Sequence, residues 1–515
     1  MVESLPLIAV IELGSQYTLL IERTIRELGM RSVILDPKRA ARWLDTHPVK
    51  AIILSGGAAS VYEECAPQPP DSLFALRHCG RQVPILGICY GMQWITRHLA
   101  GTVTSVLTKR EYGDAEISII NESPLFEGVA WSQRVWASHG DSITELPPRF
   151  IATAVSHQGG IAAMENFERT IFGVQFHPEV THTLEGGQIL RNFLVTVAAC
   201  EQDWEASSVV AEIQQSLRDS LGPNERVVFG FSGGVDSTVL AAIAAPVLGE
   251  RLLAVTINGG HLRENELEEI ERHALAAGAR LFVVDARAQF ERVMVDTIDA
   301  EEKRRRFKGI YTTLLREAAV DFGATTIFQG TLAPDRIESG ATGGALIKSH
   351  HNIGLDFAGL RQAHPLDHLF KYEVRALARS LGLPESVWAR QPFPGPGLFL
   401  RVNGTPATHD KLEIVRWAEA RVREILERRG IYHTLSQMIV HLLGVKMVGV
   451  KGDARVYAYP VVVRAIRTTD FMTADGVHFD DDTEGEISTT LTRHPEIVCV
   501  MFNPTNKPPA TTEPE

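Results

Sequence analysis

Arg226-Val-Val-Phe-Gly-Phe-Ser-Gly-Gly-Val-Asp-Ser-Thr-Val-Leu-Ala-Ala-Ile-Ala-Ala245 decides how this chain folds. The apolar run Val227–Phe229 reads as a buried strand and Thr238–Ala245 as a helix. Ser232-Gly-Gly-Val-Asp-Ser237 carries the chain from one to the other. A strand that empties through glycines into a helix N-terminus gathers backbone N–H groups, and the helix dipole adds partial positive charge there. The result is a nest for an anion. The stretch lacks the Gly-Lys-Ser/Thr ending of a Walker-type phosphate loop. An ordinary glycine-rich turn is the plain alternative. Gly233-Gly234, the hydroxyls of Ser232 and Ser237, and Asp236 argue against it.

This loop resembles the pyrophosphate loop of the ATP pyrophosphatases, which cut ATP to AMP and pyrophosphate. Around it lies an α/β block running to about residue 400, with further strands at Leu252–Ile257, Leu281–Val284 and Thr326–Phe328. Pro392-Phe-Pro-Gly-Pro-Gly397 breaks that pattern near a boundary. Residues 1–200 alternate in the same way. Leu7–Ile11, Ser32–Leu35, Ala51–Leu54 and Pro84–Ile88 read as strands, and Tyr17–Leu28 as a helix closed by Gly29. That alternation predicts a mainly parallel sheet. Residues 200–222 are polar and helical, and read as a linker helix. After 405 one long helix, about His409–Arg429, precedes strands at Val461–Ile466 and Ile497–Met501, which suggests a small α+β domain. The expected division is 1–203, 204–400 and 401–515.

The chain has 515 residues, 44% hydrophobic and 22% charged, enough for several cores. A net charge of −12 argues against general nucleic-acid or membrane binding, so an anionic ligand must meet local positive sites. Cys65, Cys79, Cys89, Cys200 and Cys499 are odd in number and widely spaced, which disfavours a disulfide framework or a zinc site. No 18-residue apolar run occurs, and the chain reads as a soluble protein of the reducing cytoplasm.

Gly87-Ile-Cys-Tyr-Gly-Met-Gln93 leaves the Pro84–Ile88 strand and opens a second helix. A cysteine on that turn stands at the carboxyl end of the sheet, where a helix N-terminus favours its thiolate. A thiolate nucleophile needs a base and an orienter. Phe176-His-Pro-Glu179 supplies both, with His177 and Glu179 on one side of an extended segment. Ser55-Gly-Gly57 ends another strand and offers N–H groups for an oxyanion hole. Cys89, His177 and Glu179, with Ser138-His-Gly-Asp141, resemble the class I glutamine amidotransferase pattern over residues 7–200. The resemblance implies that Cys89 attacks the glutamine amide, His177 shuttles the proton and Glu179 orients His177, releasing ammonia and glutamate. It also implies that Gly57, Tyr90, Gln93, Ser138 and His139 line the oxyanion and glutamine site.

A glutaminase joined to an ATP pyrophosphatase resembles the two-domain, glutamine-hydrolysing GMP synthetase family. Further motifs carry that resemblance. They are Gln329-Gly-Thr-Leu-Ala-Pro-Asp335 with Ile337-Glu-Ser339, Ile347–Asn352, Leu369-Phe-Lys371, Pro392–Gly397 and Lys507-Pro-Pro-Ala510. The implied fold is a class I amidotransferase domain, an adenine-nucleotide α-hydrolase-like domain and a small α+β dimerisation domain. The implied reaction activates xanthosine monophosphate (XMP) with ATP and Mg²⁺, and ammonia then displaces AMP. By resemblance Ser232, Gly233, Gly234, Val235, Asp236, Ser237, Gly330 and Lys371 bind ATP, with Asp236 toward the metal. Arg304 and Arg305 are both candidates for an acceptor-nucleotide contact, although a run such as Lys303–Arg306 is ordinarily a solvated helix face. Asp453, Arg455, Lys507 and Glu513 match the family's other acceptor positions, and a homodimer is implied.

The chain departs from the family pattern mainly on the acceptor side. Ile257-Asn-Gly-Gly260, Gln391, Ala458, Phe502-Asn-Pro-Thr-Asn506 and Glu513-Pro-Glu515 are the departures. They leave three readings: GMP formation; a paralogue aminating another position or purine, for instance XMP at C6 to isoguanylate; and a non-catalytic nucleotide-binding regulator.

Overall fold

A computed structural model of the chain describes residues 7–15, 17–104, 111–180, 182–202, 204–332, 357, 359–468, 474–507 and 509–513. The motif segments 333–339 and 347–352, with Pro508, Pro514 and Glu515, lie outside the described residues. The chain divides after Glu205 into two compact units.

Among the described residues of the first unit, nine strands form one sheet. They are β1 (Leu7–Ile11), β2 (Ser32–Leu35), β3 (Val49–Leu54), β4 (Ile85–Ile88), β5 (Glu111–Ile119), β6 (Ser132–His139), β7 (Phe150–Ser156), β8 (Ile161–Asn166) and β9 (Ile171–Val174). Their order across the sheet is β2-β1-β3-β4-β9-β8-β7-β5-β6. Strands β2, β1, β3, β4 and β9 run parallel. The expected mainly parallel sheet is corrected, because β8, β7, β5 and β6 add to it antiparallel. Connection length explains the change. Only His157-Gln-Gly-Gly160 joins β7 to β8, and a parallel return needs a dozen residues or more. The parallel strands are apolar apart from Ser32 and Lys50 because both faces are covered, here by helices such as α1 (Thr18–Glu27) and α2 (Tyr90–His98).

The second unit opens with α3 (Ala206–Ser220). It is no free linker. Val209, Ile213 and Leu217 repeat every fourth residue, are buried, and pack the helix on α4 (Val235–Leu248). A parallel sheet follows, built from β10 (Val227–Gly230), β11 (Leu252–Asn258), β12 (Leu281–Asp285), β13 (Thr326–Phe328) and β14 (Arg361–Ala363) in the order β12-β11-β10-β13-β14. The chain runs outward from β10 to β12, then returns to lay β13 on the other side of β10. That reversal opens a crevice at the carboxyl ends of β10 and β13, the place where α/β sheets bind ligands.

After Pro392–Gly397 the architecture changes. A mixed sheet is built on the long β18 (Ala454–Arg467), which pairs with β16 (Gln437–Leu443), β17 (Met447–Lys451) and β20 (Ile497–Phe502), while β15 (Val402–Asn403) and β19 (Asp475–Gly476) are short additions. The helix α8 (His409–Arg428) packs on this sheet. The core does not break at the loop. One cluster joins Val228 and Ile327 of the first sheet to Leu398, Val415, Val440 and Val461 beyond it. No helix among the described residues is long and apolar enough to cross a membrane.

Candidate active sites

The Cys89 position is made by a turn that only small residues permit at 87 and 91. Cys89 caps α2 with φ 49° and ψ −104°, a left-handed conformation that costs energy for any residue but glycine. A Cβ on Gly87 would stand 2.6 Å from the backbone of Gly91, and one on Gly91 would stand 2.6 Å from Leu54 O. These glycines let strand and helix touch, so the thiol is presented at the end of the sheet. Cys89 is 3% exposed. Its Sγ lies 3.7 Å from Ser138 O and 3.8 Å from Gln175 Nε2.

His177 follows β9, the parallel neighbour of β4, and so arrives beside Cys89. Its Nδ1 is 2.8 Å from Glu179 Oε1, and both side chains are buried. Burial alone would lower the proton affinity of the ring. Glu179 and the adjacent Cys89 outweigh it and raise the His177 pKa to about 10. The backbone is fixed on both sides, since His177 N donates to Trp136 O and Thr183 Oγ1 donates to His177 O. The Tyr17 ring meets the imidazole edge-on at 5.0 Å. Gly56 lies against the pair, for its Cβ would be 2.9 Å from His177 Cε1 and 3.6 Å from Cys89 Cβ. Gly57 is wedged between Leu13 O and the Tyr90 ring.

The other glutamine-site residues divide by face. Tyr90 is fully buried and bonds Pro67 O, so what it can offer a ligand is the backbone N–H at the helix start, which has no acceptor within the helix. Gln93 reaches Asp141 O at 3.0 Å and Gln175 at 3.4 Å. Ser138 sits on the open side, by the thiol. His139 is the next residue of β6 and therefore points the other way, into the core, where it pairs with Glu111 at 3.3 Å.

The crevice between β10 and β13 gathers the candidates for ATP. Gly233 has φ +67°, Gly234 caps α4, and Val235 buries the first helical side chain. The Ser232 hydroxyl lies 3.3 Å from both Ser237 Oγ and Gly234 N. Gly330, just past β13, faces Asp236, its Cβ position 3.9 Å from Asp236 Cβ. Lys371 opens α7 (Lys371–Ser380) and bonds Asp236 Oδ2 at 2.5 Å. Asp236 Oδ1 is buried with no hydrogen-bond partner among the described residues.

The acceptor candidates lie in separate elements. Arg304 and Arg305, on α6 (Ala300–Phe322), pair with Glu301 and Glu302 one turn away. Lys303 beside them is buried, donating to Val402 O and Thr405 O, and burial lowers its pKa to about 8. Asp453 takes the left-handed position of the β17–β18 turn, and Arg455 packs over Tyr457 in the same hairpin. Lys507 pairs through its backbone with Ala474. Glu513 enters the interior, accepting from Gln437 at 2.8 Å and from Arg401 at 3.3 Å.

Sequence reasoning missed what surrounds Glu513. Arg263 and Arg401 both reach Glu419 at 2.9 Å, and both guanidiniums lie over Phe393 of the Pro392–Gly397 loop, at 4.0 and 4.9 Å. Burial pulls the Arg401 pKa down, but Glu419 and Glu513 raise it above the ordinary arginine value. The signal was an arginine shortly after each Gly-rich loop, at 263 and 401.

Three of the departures from the family pattern, Gln391, Asn258 and Asn506, fall on backbone supports. Gln391 donates to Tyr432 O and Leu435 O and accepts from Met438 N. Asn258 Oδ1 takes Gly260 N, and Asn506 Oδ1 takes Gly476 N. Ala458 is a buried strand residue opposite Met447.

Comparison with known proteins matches three stretches of the chain to families. Residues 9–197 match the glutamine amidotransferase class-I family, 226–320 the argininosuccinate synthase N-terminal HUP domain, and 424–514 the GMP synthase C-terminal domain. The glutamine-hydrolysing GMP synthase of Thermobifida fusca is 41% identical, covering 98% of this chain and 97% of its own. Those of Corynebacterium glutamicum and Aquifex aeolicus are each 40% identical, over 98% of this chain and 98% and 99% of theirs. Identity at that level along nearly the whole length places this chain in the glutamine-hydrolysing GMP synthase family.

Proposed function

We propose that the chain makes GMP from XMP, with ammonia from glutamine and activation by ATP. Cys89 Sγ attacks the glutamine amide carbon while the N–H groups of Gly57 and Tyr90 receive the developing oxyanion. His177 delivers a proton to the leaving nitrogen, which departs as ammonia and leaves a γ-glutamyl thioester on Cys89. Water, deprotonated by His177, then releases glutamate. At the second site XMP O2 attacks the α-phosphorus of ATP. Pyrophosphate leaves along the N–H groups of Ser232–Ser237, with Lys371 as a point charge. Ammonia then attacks C2 and AMP departs. The activation is needed because a carbonyl oxygen is a poor leaving group until it is adenylylated.

Asp236 suits Mg²⁺, which binds through one or two carboxylates plus substrate phosphates, because one buried oxygen of this carboxylate has no protein partner among the described residues. When bound, the ion would neutralise triphosphate charge. The C-terminal sheet supports a homodimer. Val448, Val450 and Tyr457 expose 52%, 74% and 55% of their surface on one face of the β17–β18 hairpin. The other face is closed, since a Cβ on Gly449 would stand 1.9 Å from Val498. The cytoplasm suits the reduced Cys89 this chemistry needs.

The observation that carries the reading is the joint presence, in one chain of this family, of the Cys89–His177–Glu179 cluster and the Ser232–Ser237 nest. The C6 alternative gains no support from the geometry, because Gln391, Asn258 and Asn506 serve the backbone. The test is incubation with glutamine, ATP, Mg²⁺ and XMP, with chromatography against GMP and isoguanylate standards. GMP, AMP, pyrophosphate and glutamate in equal amounts are expected; isoguanylate as main product overturns the reading.

A further inference from the structure

Two carbonyls of the Ser232–Gly234 turn take side-chain donors from outside it. Arg390 Nη1 donates to Ser232 O at 3.3 Å, and its Nη2 pairs with Glu266 at the start of α5 (Glu266–Ala276). His273, two turns along α5, places Nδ1 2.8 Å from Gly233 O. Its Nε2 is 2.9 Å from the hydroxyl of Ser386, four residues before Arg390. A carbonyl only accepts, so Nδ1 carries the proton and Nε2 accepts from Ser386. Burial lowers the His273 pKa and suits that neutral ring. The turn rests directly on these supports. A Cβ on Gly233 would stand 2.9 Å from Ile270 Cγ1 and 3.2 Å from Arg390 Nη1.

The consequence follows from peptide geometry. In a trans peptide the C=O and the next N–H point to opposite sides. Holding Ser232 O toward Arg390 turns Gly233 N–H away from it, and holding Gly233 O toward His273 does the same for Gly234 N–H. Gly234 N–H indeed reaches Ser232 Oγ, which meets Ser237 at the start of α4.

We propose that Arg390 and His273 are positioning residues of the pyrophosphate loop, fixing its peptide planes so that the Gly233 N–H, and the Ser232 hydroxyl that Gly234 N–H holds, face phosphate oxygens. The proposal rests on the reading of this loop as the ATP pyrophosphate site. Neither residue touches the phosphates; each acts through a backbone carbonyl. The arrangement also explains why α5 and the segment 386–390, far apart in sequence, converge behind the loop.

The test uses the full chain with His273→Leu, His273→Asn, Arg390→Gln and Arg390→Lys. An asparagine amide can donate from about the position of Nδ1, so His273→Asn is the rescuing variant. The readouts are binding of inorganic pyrophosphate by calorimetry, and KM for ATP with ammonium as nitrogen donor. Loss of one such hydrogen bond should weaken pyrophosphate binding and raise the ATP KM roughly tenfold in His273→Leu, with His273→Asn within about threefold of the parent. Arg390→Gln should move in the same direction and Arg390→Lys recover part. A purely structural lesion lowers the active fraction, and so kcat, while leaving the ATP KM unchanged; that pattern overturns the proposal. So does parent-like pyrophosphate binding in His273→Leu, or equal loss in His273→Asn and His273→Leu. A parent chain that binds pyrophosphate but makes no GMP refutes the reaction proposed above and leaves the titration to decide this point. A parent that binds no pyrophosphate refutes the loop's role and this proposal with it.

Discussion

Arg401 Nη2 and Glu513 Oε1 lie 3.3 Å apart although 112 residues separate them in sequence. The Glu513 side chain is thereby held against the interior, where Gln437 also donates to it. A second buried guanidinium, Arg464, secures the tail a few residues earlier by donating to the carbonyls of Thr505, Thr511 and Thr512.

Removing residues 511–515 should therefore destabilise the second unit by about 2–4 kcal/mol, because two buried arginines lose acceptors. Glu513→Gln should cost less in stability but raise the KM for XMP. Thermal unfolding and steady-state kinetics read the two effects separately; a fully active truncated chain would contradict the tail's placement.

His177 gives a pH signature. Its folded pKa of about 10 exceeds an unfolded value of about 6.5, so the stabilisation from its partners is fully present below about 6.5 and is lost as pH rises through about 10. The stability gap between the parent and Glu179→Gln should be widest near pH 6 (~6) and shrink toward alkaline pH. Glutamine hydrolysis in Glu179→Gln should fall by about two to four orders of magnitude. Chemical denaturation across pH and glutamate release are the measurements.

Gly57→Ala places a methyl group 2.3 Å from Leu13 O, a backbone atom that cannot swing aside. Glutamine-dependent GMP formation should drop by about tenfold or more as the oxyanion donor shifts. Formation from added ammonium should persist. Equal loss with both nitrogen sources would show that the lesion is not local to the Cys89 site.

Gln391→Ala removes three hydrogen bonds to buried backbone groups and should cost about 2–4 kcal/mol. The product should remain GMP. A changed nucleotide product in this variant would return the position to the acceptor pocket.

Charge on the exposed hairpin tests the homodimer. Val448→Asp with Val450→Asp should shift the full chain to monomer in sedimentation, without changing its near-UV dichroism. An unchanged dimer would place the interface elsewhere.

The two chemical centres were legible because each depends on a local pattern. An apolar strand, a glycine-rich turn and a helix are written in consecutive residues at 227–245 and again at 84–99. What was illegible is what arrives from a distance. Nothing in the order of residues says that Lys303 is buried on Val402 O while its neighbours Arg304 and Arg305 stay near water, because burial along a helix turns on which face meets the rest of the unit. The antiparallel half of the first sheet is written only in connection length, such as the four residues 157–160 between β7 and β8, and not in the apolar pattern of its strands. Arg390, His273 and Arg401 act through backbone carbonyls or through carboxylates more than a hundred residues away, or in the case of His273 forty residues away, and such pairings leave no spacing to read.

The apolar cluster that runs from Val228 and Ile327 to Val440 and Val461 has a thermodynamic consequence. The sheet that carries the Ser232–Ser237 loop and the sheet that holds Arg464 share that cluster, so melting either one exposes apolar surface of the other. A ligand seated at the Ser232–Ser237 loop then raises the unfolding temperature of both sheets by mass action, and order gained at one end is shared with the other without any shape change between them.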